Sequence, residues 1–291
     1  MNRALAGLTV CVALWGMVFV AIHELLPLID PVPMVTLRFL LTSALFAVLL
    51  AARPAWRPRF TRRQWALCLA AGVLAVPATQ LAAVEGQRYL SPTIAALIVT
   101  TTPAIAAVLG VAFLNERLSA RNVIGFAIAF AGVALIVVLG AGTGADAGAS
   151  DPLGAAVIVL SALGWASYTL LSKPLSADTH AVTAAGAAVI AGTLSLAPAI
   201  PAALGAAAEI PAPAWGWLLY LAVGGTFVPY LLWSISLRRL DVSRTASFMY
   251  FVPVFAAVWS FLVLGNALTA VTILGGAIVF SGVVLVQRGH A

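Results

Sequence analysis

The stretch "IVTTTPAIAAVLG", Ile98 to Gly110, places a proline inside an apolar run that is long enough to form a helix. A second stretch, "FMYFVPVFAAVWS", Phe248 to Ser260, repeats this arrangement 150 residues later. Proline has no backbone N–H and its ring clashes with the preceding turn, so it interrupts a helix. Two prolines at equivalent positions, Pro103 and Pro253, therefore suggest a shared purpose.

The composition is that of an integral membrane protein. Hydrophobic residues make up 63% of the chain and charged residues 8%, whereas about 25% of a soluble domain is charged. The apolar residues come in runs of about 20, the length that spans the hydrocarbon core of a bilayer. The net charge of +6 arises from basic residues in short loops, so it does not indicate nucleic-acid binding.

Ten apolar segments are long enough to be transmembrane helices, and the connections between them are too short for a soluble domain. A Gly/Ala-rich linker, residues 141–152, joins the fifth segment to the sixth. The predicted domains are thus a five-helix repeat over residues 1–140 and a second over residues 153–291. The ten predicted spans are 4–22, 33–52, 65–84, 92–114, 122–139, 153–172, 181–204, 215–237, 245–264 and 270–287.

The basic residues predict the orientation, because Lys and Arg concentrate in cytoplasmic loops. With the N-terminus in the cytoplasm, every Lys and Arg except Arg38 and Arg88 falls on the cytoplasmic side. Both termini are therefore predicted to be cytoplasmic, in a bacterial inner membrane, with the linker in the periplasm.

An internal repeat relates the two halves. Residues 96–138 align without gaps with residues 246–288, and 15 of these 43 positions are identical. Because a five-helix repeat has an odd number of spans, the second copy must enter the membrane from the opposite side. The predicted fold is therefore all-α, with ten transmembrane helices in two inverted-topology repeats. In such proteins the substrate site lies between the repeats, near the bilayer midplane.

A site between the repeats gives the paired prolines a purpose. Pro103 and Pro253 should each free a backbone carbonyl about one turn earlier, near Val99 or Thr100 in the first copy. A free carbonyl is costly in lipid unless it meets a wet cavity or a polar group. Cavity lining is the favoured interpretation. The alternative is a packing kink in which threonine hydroxyls bond back to the helix.

Five apolar motifs, in order along the chain, carry a family resemblance. The first copy has "ALWGMVFVAIHELLP" (13–27), "TLRFLLTSALF" (36–46) and the segment 91–137, which contains both "TTTP" and "LNERL". The second copy has "ALGWASYTLLSKPL" (162–175) and the segment 250–286. Together they resemble the drug/metabolite transporter superfamily, EamA type, and within it the aromatic amino-acid exporters. The resemblance implies a ten-span carrier that exports amino acids and other small metabolites.

Polar and aromatic residues that share helix faces are the predicted substrate contacts. Aromatic rings suit stacking on an apolar group or attraction of an ammonium, and amide, hydroxyl and freed carbonyl groups suit the charged ends of an amino acid. Packing between helices is the alternative for each of them. The predicted substrate-binding residues are Trp15, Phe19, Thr79, Gln80, Thr100, Thr101, Trp165, Tyr168, Tyr230, Trp233 and Tyr250.

Several charged residues are predicted near the outer face, where they either hold helix ends or gate the exit. Arg38 lies at most about two turns into its span. Its side chain can therefore snorkel to the interface, where Glu24 or Glu85 would pair with it. The members of this predicted outer cluster are His23, Glu24, Arg38, Glu85 and Arg88.

The predicted activity is export of aromatic and other neutral amino acids, and related metabolites, by alternating access. No carboxylate lies deep in a predicted span, as proton-coupled exporters usually require, so facilitated export is favoured. Export of another metabolite or a drug by proton antiport is the alternative. The three histidines form no metal motif, so no metal, cofactor or enzymatic activity is expected. The expected partners of a monomeric carrier are its amino acids and the bilayer.

Overall fold

The computed structural model describes residues 2–86, 88–89, 98–140, 152–264 and 270–288. These residues form helices and the loops that join them, and the described part contains no β-strand. The helices are α1 (Asn2–Leu25), α2 (Pro31–Ala52), α3 (Arg62–Gly86), α4 (Thr102–Leu114), α5 (Ala120–Gly140), α6 (Pro152–Asp178), α7 (Ala181–Leu194), α8 (Ile200–Glu209), α9 (Ala214–Leu237), α10 (Val242–Val263) and α11 (Ala270–Arg288).

The helices are apolar enough for an integral membrane protein. Six of them, α1, α2, α3, α6, α9 and α10, are long enough to cross a membrane, and α7 with α8 would make a seventh span. Shorter apolar helices lie at α4, α5 and α11. Each predicted span overlaps a described helix, while the number of crossings stays a prediction.

The seventh predicted span, residues 181–204, is not one continuous helix. It bends by 58° between α7 and the segment Ala197–Glu209. Pro198 and Pro201 fall at the start of the second part. Neither proline can donate to the carbonyl one turn earlier, and the ring of each clashes with that turn. The apolar run alone did not reveal this break.

Both α3 and α9 contain a stretch of π-helix midway along their length. These stretches are Leu74–Leu81 and Val223–Phe227. In each, a threonine hydroxyl donates to the carbonyl five residues earlier, at 2.7 Å for Thr79 and 2.8 Å for Thr226. A π-turn disturbs the regular backbone ladder and redirects neighbouring groups, and such turns often occur at functional sites.

Glycines let several pairs of helices meet backbone to backbone. In the pair α5 and α11, a Cβ on Gly125 would lie 2.7 Å from the carbonyl oxygen of Gly282, and one on Gly132 would lie 2.8 Å from that of Gly275. These glycines therefore pack within one chain. The pair α3 and α7 crosses in the same way at Gly72.

Several contacts join a residue to the one 150 positions later. The Trp15 and Trp165 ring centroids are 5.1 Å apart, and the Ser43 hydroxyl donates to that of Thr193 at 2.8 Å. The glycine contacts of α5 and α11 follow the same rule: adding 150 to Gly125 and Gly132 gives Gly275 and Gly282, and Gly125 meets Gly282 while Gly132 meets Gly275. Residues that meet their own equivalents are those expected on a two-fold axis between two copies.

Candidate functional site

A cavity of about 120 Å³ lies between the first-half helices α1, α2, α3 and α4 and the second-half helices α6 and α10. In α1 it is lined from Trp15 to Ile22, the half nearest the loop to α2. We call that end of the bundle the α1–α2 end. The opposite, α9–α10 end holds the start of α1, since the Ser236 hydroxyl donates to the Ala4 carbonyl. The described lining residues are Trp15, Val18, Phe19, Ile22, Arg38, Thr79, Gln80, Ala83, Val84, Val99, Thr102, Ile158, Ser161, Ala162, Trp165, Met249 and Val252.

A cluster of five aromatic rings separates the cavity from the α9–α10 end. Trp165 is its hub, with ring centroids 4.9 Å from Tyr168, 5.3 Å from Tyr230 and 5.6 Å from Trp233. Trp15 completes it, 5.2 Å from Trp233. Mixed edge-on and tilted contacts of this kind stabilise aromatic pairs. We call these five residues the aromatic cluster.

The structure brings together about half of the predicted substrate contacts. Trp15, Phe19, Thr79, Gln80 and Trp165 line the cavity. The other rings of the aromatic cluster form a second layer behind them, so they contact one another instead of the cavity.

Three predicted contacts lie elsewhere. Tyr250 is buried against α5 and α11, with its ring 6.4 Å from that of Phe126. Thr100 and Thr101 do not line the cavity, whereas the next residue, Thr102, does. The chain turns at Thr100 and Thr101, so helical periodicity does not predict which of these threonines faces the cavity.

The structure also shows what the "TTTP" segment does. In a continuous helix the Val99 carbonyl would accept the N–H of residue 103, but Pro103 has no N–H. The Thr102 hydroxyl donates to the Val99 carbonyl instead, at 2.6 Å. The Thr101 hydroxyl donates likewise to the Ile98 carbonyl, at 2.7 Å. α4 starts at Thr102, with the proline in its first turn, where proline fits well. The threonines thus satisfy the carbonyls at the break, as in the packing alternative.

The second proline sits in the same context. Pro253 follows a 3₁₀ turn, Ser247–Phe251, and the Met249 carbonyl accepts the Val252 N–H across that turn. Each freed carbonyl therefore already has one donor within the chain. What the two breaks do is bring Thr102, Met249 and Val252 to the cavity wall.

Arg38 differs most from its predicted place. Its side chain does not snorkel outward to Glu24 or Glu85, because the residue is only 2% exposed and lines the cavity. Nε donates to the Thr226 hydroxyl at 2.6 Å, and the two terminal nitrogens donate to Gln80 Oε1 and the Gly225 carbonyl, both at 3.1 Å. Two of these acceptors lie in the π-helical stretch of α9 and one in that of α3.

The remaining charged residues of the predicted outer cluster do lie at the α1–α2 end. Arg88 forms an ion pair with Asp30 and a second with Glu85 at 3.6 Å. His23 is exposed and Glu24 is half-buried. Because these pairs are solvent-exposed, each contributes little to stability.

At the α9–α10 end, a carboxylate binds the start of α10. Glu116 accepts the N–H groups of Val242 and Ser243, at 2.6 and 3.1 Å, and the Ser243 hydroxyl at 2.8 Å. These N–H groups begin α10, so the contact suits the positive end of the helix dipole. Lys173 donates to the Leu240 carbonyl in the same region. α4 and α6 are thereby tied to the start of α10.

The described lining holds no carboxylate and one cation, Arg38. Among the described residues, no group of three His, Cys, Asp or Glu side chains is placed to hold a metal ion. The cavity therefore offers a few polar donors and acceptors within an apolar, partly aromatic wall, which is typical of small-molecule sites.

Comparisons with known proteins agree with this picture. The model of the EamA-like transporter family matches residues 3–138 and again residues 152–288. An uncharacterized transporter from Archaeoglobus fulgidus is 27% identical over 288 residues, covering 97% of each chain. A probable terminal-alkyne amino-acid exporter from Streptantibioticus cattleyicolor is 28% identical over 288 residues, covering 99% of this chain and 94% of that protein.

A solved crystal structure of a protein superposes with a TM-score of 0.79, covering 100% of this chain and 98% of that one. Its identity of 17% shows a shared fold. The family model, by contrast, accounts for nearly the whole chain and for every helix that lines the cavity. The family resemblance is therefore confirmed, and this protein belongs to the EamA-like transporter family of multi-pass membrane proteins.

Proposed function

We propose that this transporter exports neutral amino acids from the cytoplasm by alternating access. The observation that carries the proposal is the cavity between the two halves, with a polar corner at Arg38, Gln80 and Thr79. Such a corner suits the charged backbone of an amino acid, and the apolar wall suits its side chain. The exporter relative from S. cattleyicolor, whose name specifies an amino acid, supports the same substrate class.

Two inverted five-helix repeats would supply the two conformations that alternating access needs. The contacts between residues 150 positions apart support this architecture. With the orientation that the basic residues predict, the end where Glu116 binds the start of α10 is cytoplasmic, and the cavity lies nearer the outer end. The indole N–H groups of Trp165 and Trp233 lack acceptors in the described part. Unpaired buried donors cost free energy, which would ease rearrangement of the aromatic cluster.

The cavity size favours small apolar side chains in this conformation. Its volume of about 120 Å³ is below the roughly 300–1,000 Å³ of most ligand pockets. Aromatic amino acids would require the cavity to widen. Since no carboxylate lines it among the described residues, facilitated export down a concentration gradient is favoured over proton antiport.

Uptake by reconstituted liposomes tests the proposal. We expect saturable uptake of radiolabelled alanine, valine and methionine without an ion gradient, weaker uptake of tryptophan, and none of glutamate or lysine. Uptake that appears only with an imposed pH gradient would favour the antiport alternative. Absence of uptake for every amino acid, with and without the gradient, would overturn the assignment.

A cavity-filling variant links uptake to this cavity. Ala162 is buried and lines the cavity. Ala162→Leu should therefore reduce methionine uptake by about tenfold or more, and alanine uptake by less, because the added volume excludes the longer side chain. The neighbouring Leu163 is exposed on the outer surface of α6, so Leu163→Phe is the matched control and should transport normally. Equal uptake by both variants would place the transport path elsewhere.

A further inference from the structure

We propose that Arg38 binds the carboxylate of the transported amino acid, so that a free carboxylate is a requirement for recognition. This inference rests on the proposed function, and it assigns the polar corner of the cavity to the carboxylate of the substrate. It concerns a buried cation that has only neutral partners, on the wall of the cavity where the substrate would sit.

The charge of Arg38 is not balanced within the described part of the chain. Its three acceptors are a hydroxyl, an amide oxygen and a backbone carbonyl. No ion pair joins it to a described carboxylate; the described pairs involve Arg88 and Lys173. A buried charge without a counter-charge is costly, and an anionic ligand would relieve that cost.

The guanidinium also has donors to spare. It carries five N–H groups in a planar fork, and three of them are used. Each terminal nitrogen has two N–H groups and donates one, to Gln80 or to Gly225, so one remains on each. One N–H group on each of the two terminal nitrogens can meet one oxygen of a carboxylate, and such two-point contacts are the strong ones between arginine and carboxylates.

The position of the guanidinium is set before a ligand arrives. The Gly225 carbonyl accepts both Arg38 Nη2 and the indole N–H of Trp15, each at 3.1 Å. Thr226, which accepts Nε, is itself fixed by its bond within the π-turn of α9. Holding a donor in place beforehand reduces the entropy lost on binding. The aromatic and apolar walls, from Phe19 to Met249, are left for the substrate side chain.

A purely structural role is the competing explanation, since Arg38 also ties α2 to α3 and α9. The two roles differ in one measurable respect. A carboxylate anchor discriminates an amino acid from its amide, whereas a structural tie affects both ligands equally. The test is therefore the ratio of the two affinities.

The experiment measures binding of methionine and methioninamide to the purified full-length protein by intrinsic tryptophan fluorescence, since Trp15 and Trp165 line the cavity. In the wild type, methionine should bind at least about tenfold more tightly, because hydrogen bonds between charged groups are the strong ones. In Arg38→Gln the ratio should fall to near one. Arg38→Lys should keep part of it, because lysine retains the charge without the planar fork.

Thr42→Val is the matched control. The Thr42 hydroxyl links the Arg38 and Ala222 carbonyls, both at 2.9 Å, so its loss perturbs the α2–α9 contact without touching the guanidinium. This variant should keep the wild-type ratio. Equal wild-type affinities for methionine and methioninamide, or an unchanged ratio in Arg38→Gln, would overturn the carboxylate assignment and leave the carrier function standing. No binding of either ligand, together with no uptake of any amino acid, would overturn both.

Discussion

At the scale of single residues, Arg38 shows what a sequence can and cannot reveal. An arginine inside an apolar span is a signal of function, and its position near the helix end suggested an escape to the interface. The Arg38 side chain can reach the interface only if the helices packed against it leave a path to water. Here the π-turns of α3 and α9 supply polar acceptors around the guanidinium, so the side chain stays inside.

The threonines before Pro103 show the opposite case. The sequence alone shows that residue 103 has no backbone N–H. It also shows that threonine hydroxyls lie close enough along the chain to donate to the carbonyls left without that partner. The two interpretations differed only in whether a carbonyl remained open. That depends on side-chain rotamers of Thr101 and Thr102, which sequence patterns do not specify.

His180 gives a pH dependence at this scale. Its Nδ1 accepts the Val182 N–H at 3.3 Å, and its ring stacks on Trp56. Burial, and then the positive charge of Arg238, lower its pKa below the ordinary value. The unfolded chain therefore binds the proton more readily than the folded protein, so the free energy of unfolding falls as pH drops below about 6.5.

Apparent Tm values from pH 8 to pH 5 measure this effect. The advantage of the wild type over His180→Asn should shrink as the pH falls, because asparagine can also cap α7 but does not titrate. The difference between the two proteins removes the contribution of other titrating groups. A difference that is constant over this range would show that His180 does not contribute to the pH dependence.

At the scale of helices, length and apolar content predicted where helices lie but not where they bend. The seventh span contains Pro198 and Pro201 in an otherwise uniform Ala-rich run, and the chain turns there by 58°. By contrast α3 contains Pro77 and continues through it as π-helix. Proline disrupts the ladder in both cases, so its presence alone does not determine whether the chain turns or continues.

The crossing of α3 and α7 provides a stability prediction. A Cβ on Gly72 would lie 2.4 Å from the Ala188 carbonyl oxygen and 2.6 Å from the Gly192 nitrogen. Both are backbone atoms, so the clash can be relieved only by separating the helices. Gly72→Ala should therefore cost about 1–3 kcal/mol, the range for overpacking, measured as a lower apparent Tm in detergent.

Gly205 is the matched control for that substitution. It lies within α8, and a Cβ there would meet no atom within 4 Å. Gly205→Ala should stabilise the protein by about 0.5–1 kcal/mol, because alanine loses less backbone entropy in a helix. Equal effects at the two glycines would show that the close crossing of α3 and α7 does not limit stability.

At the scale of the whole molecule, the internal repeat leads to a prediction about topology. Arg59 and Glu209 are exposed and 150 residues apart; Arg59 follows the second span of its half, and Glu209 ends the second span of the other half. Inverted repeats place them on opposite faces of the membrane. Leu28 and Asp178, also exposed and 150 apart, form a second such pair with the faces exchanged.

Single cysteines test this in a background that carries Cys11→Ala and Cys68→Ala. In intact cells, an impermeant thiol reagent should label Glu209→Cys and Leu28→Cys, whereas Arg59→Cys and Asp178→Cys should react only in inverted vesicles. The paired positions serve as controls for one another, since each carries the same label in the same background. Labelling of both members of a pair from the same side would exclude an inverted repeat.

The sequence by itself determined the class of the protein, the approximate position of its helices and the family to which it belongs. These properties depend on composition, on the length of apolar runs and on the order of motifs, all of which are local along the chain. Only the tertiary structure decided which polar groups share the cavity, that Tyr250 lies outside it, and that Arg38 lies within it. Those outcomes depend on helix breaks and on partners as distant as Arg38 and Thr226, which lie 188 residues apart, and no periodicity within one helix encodes such a contact.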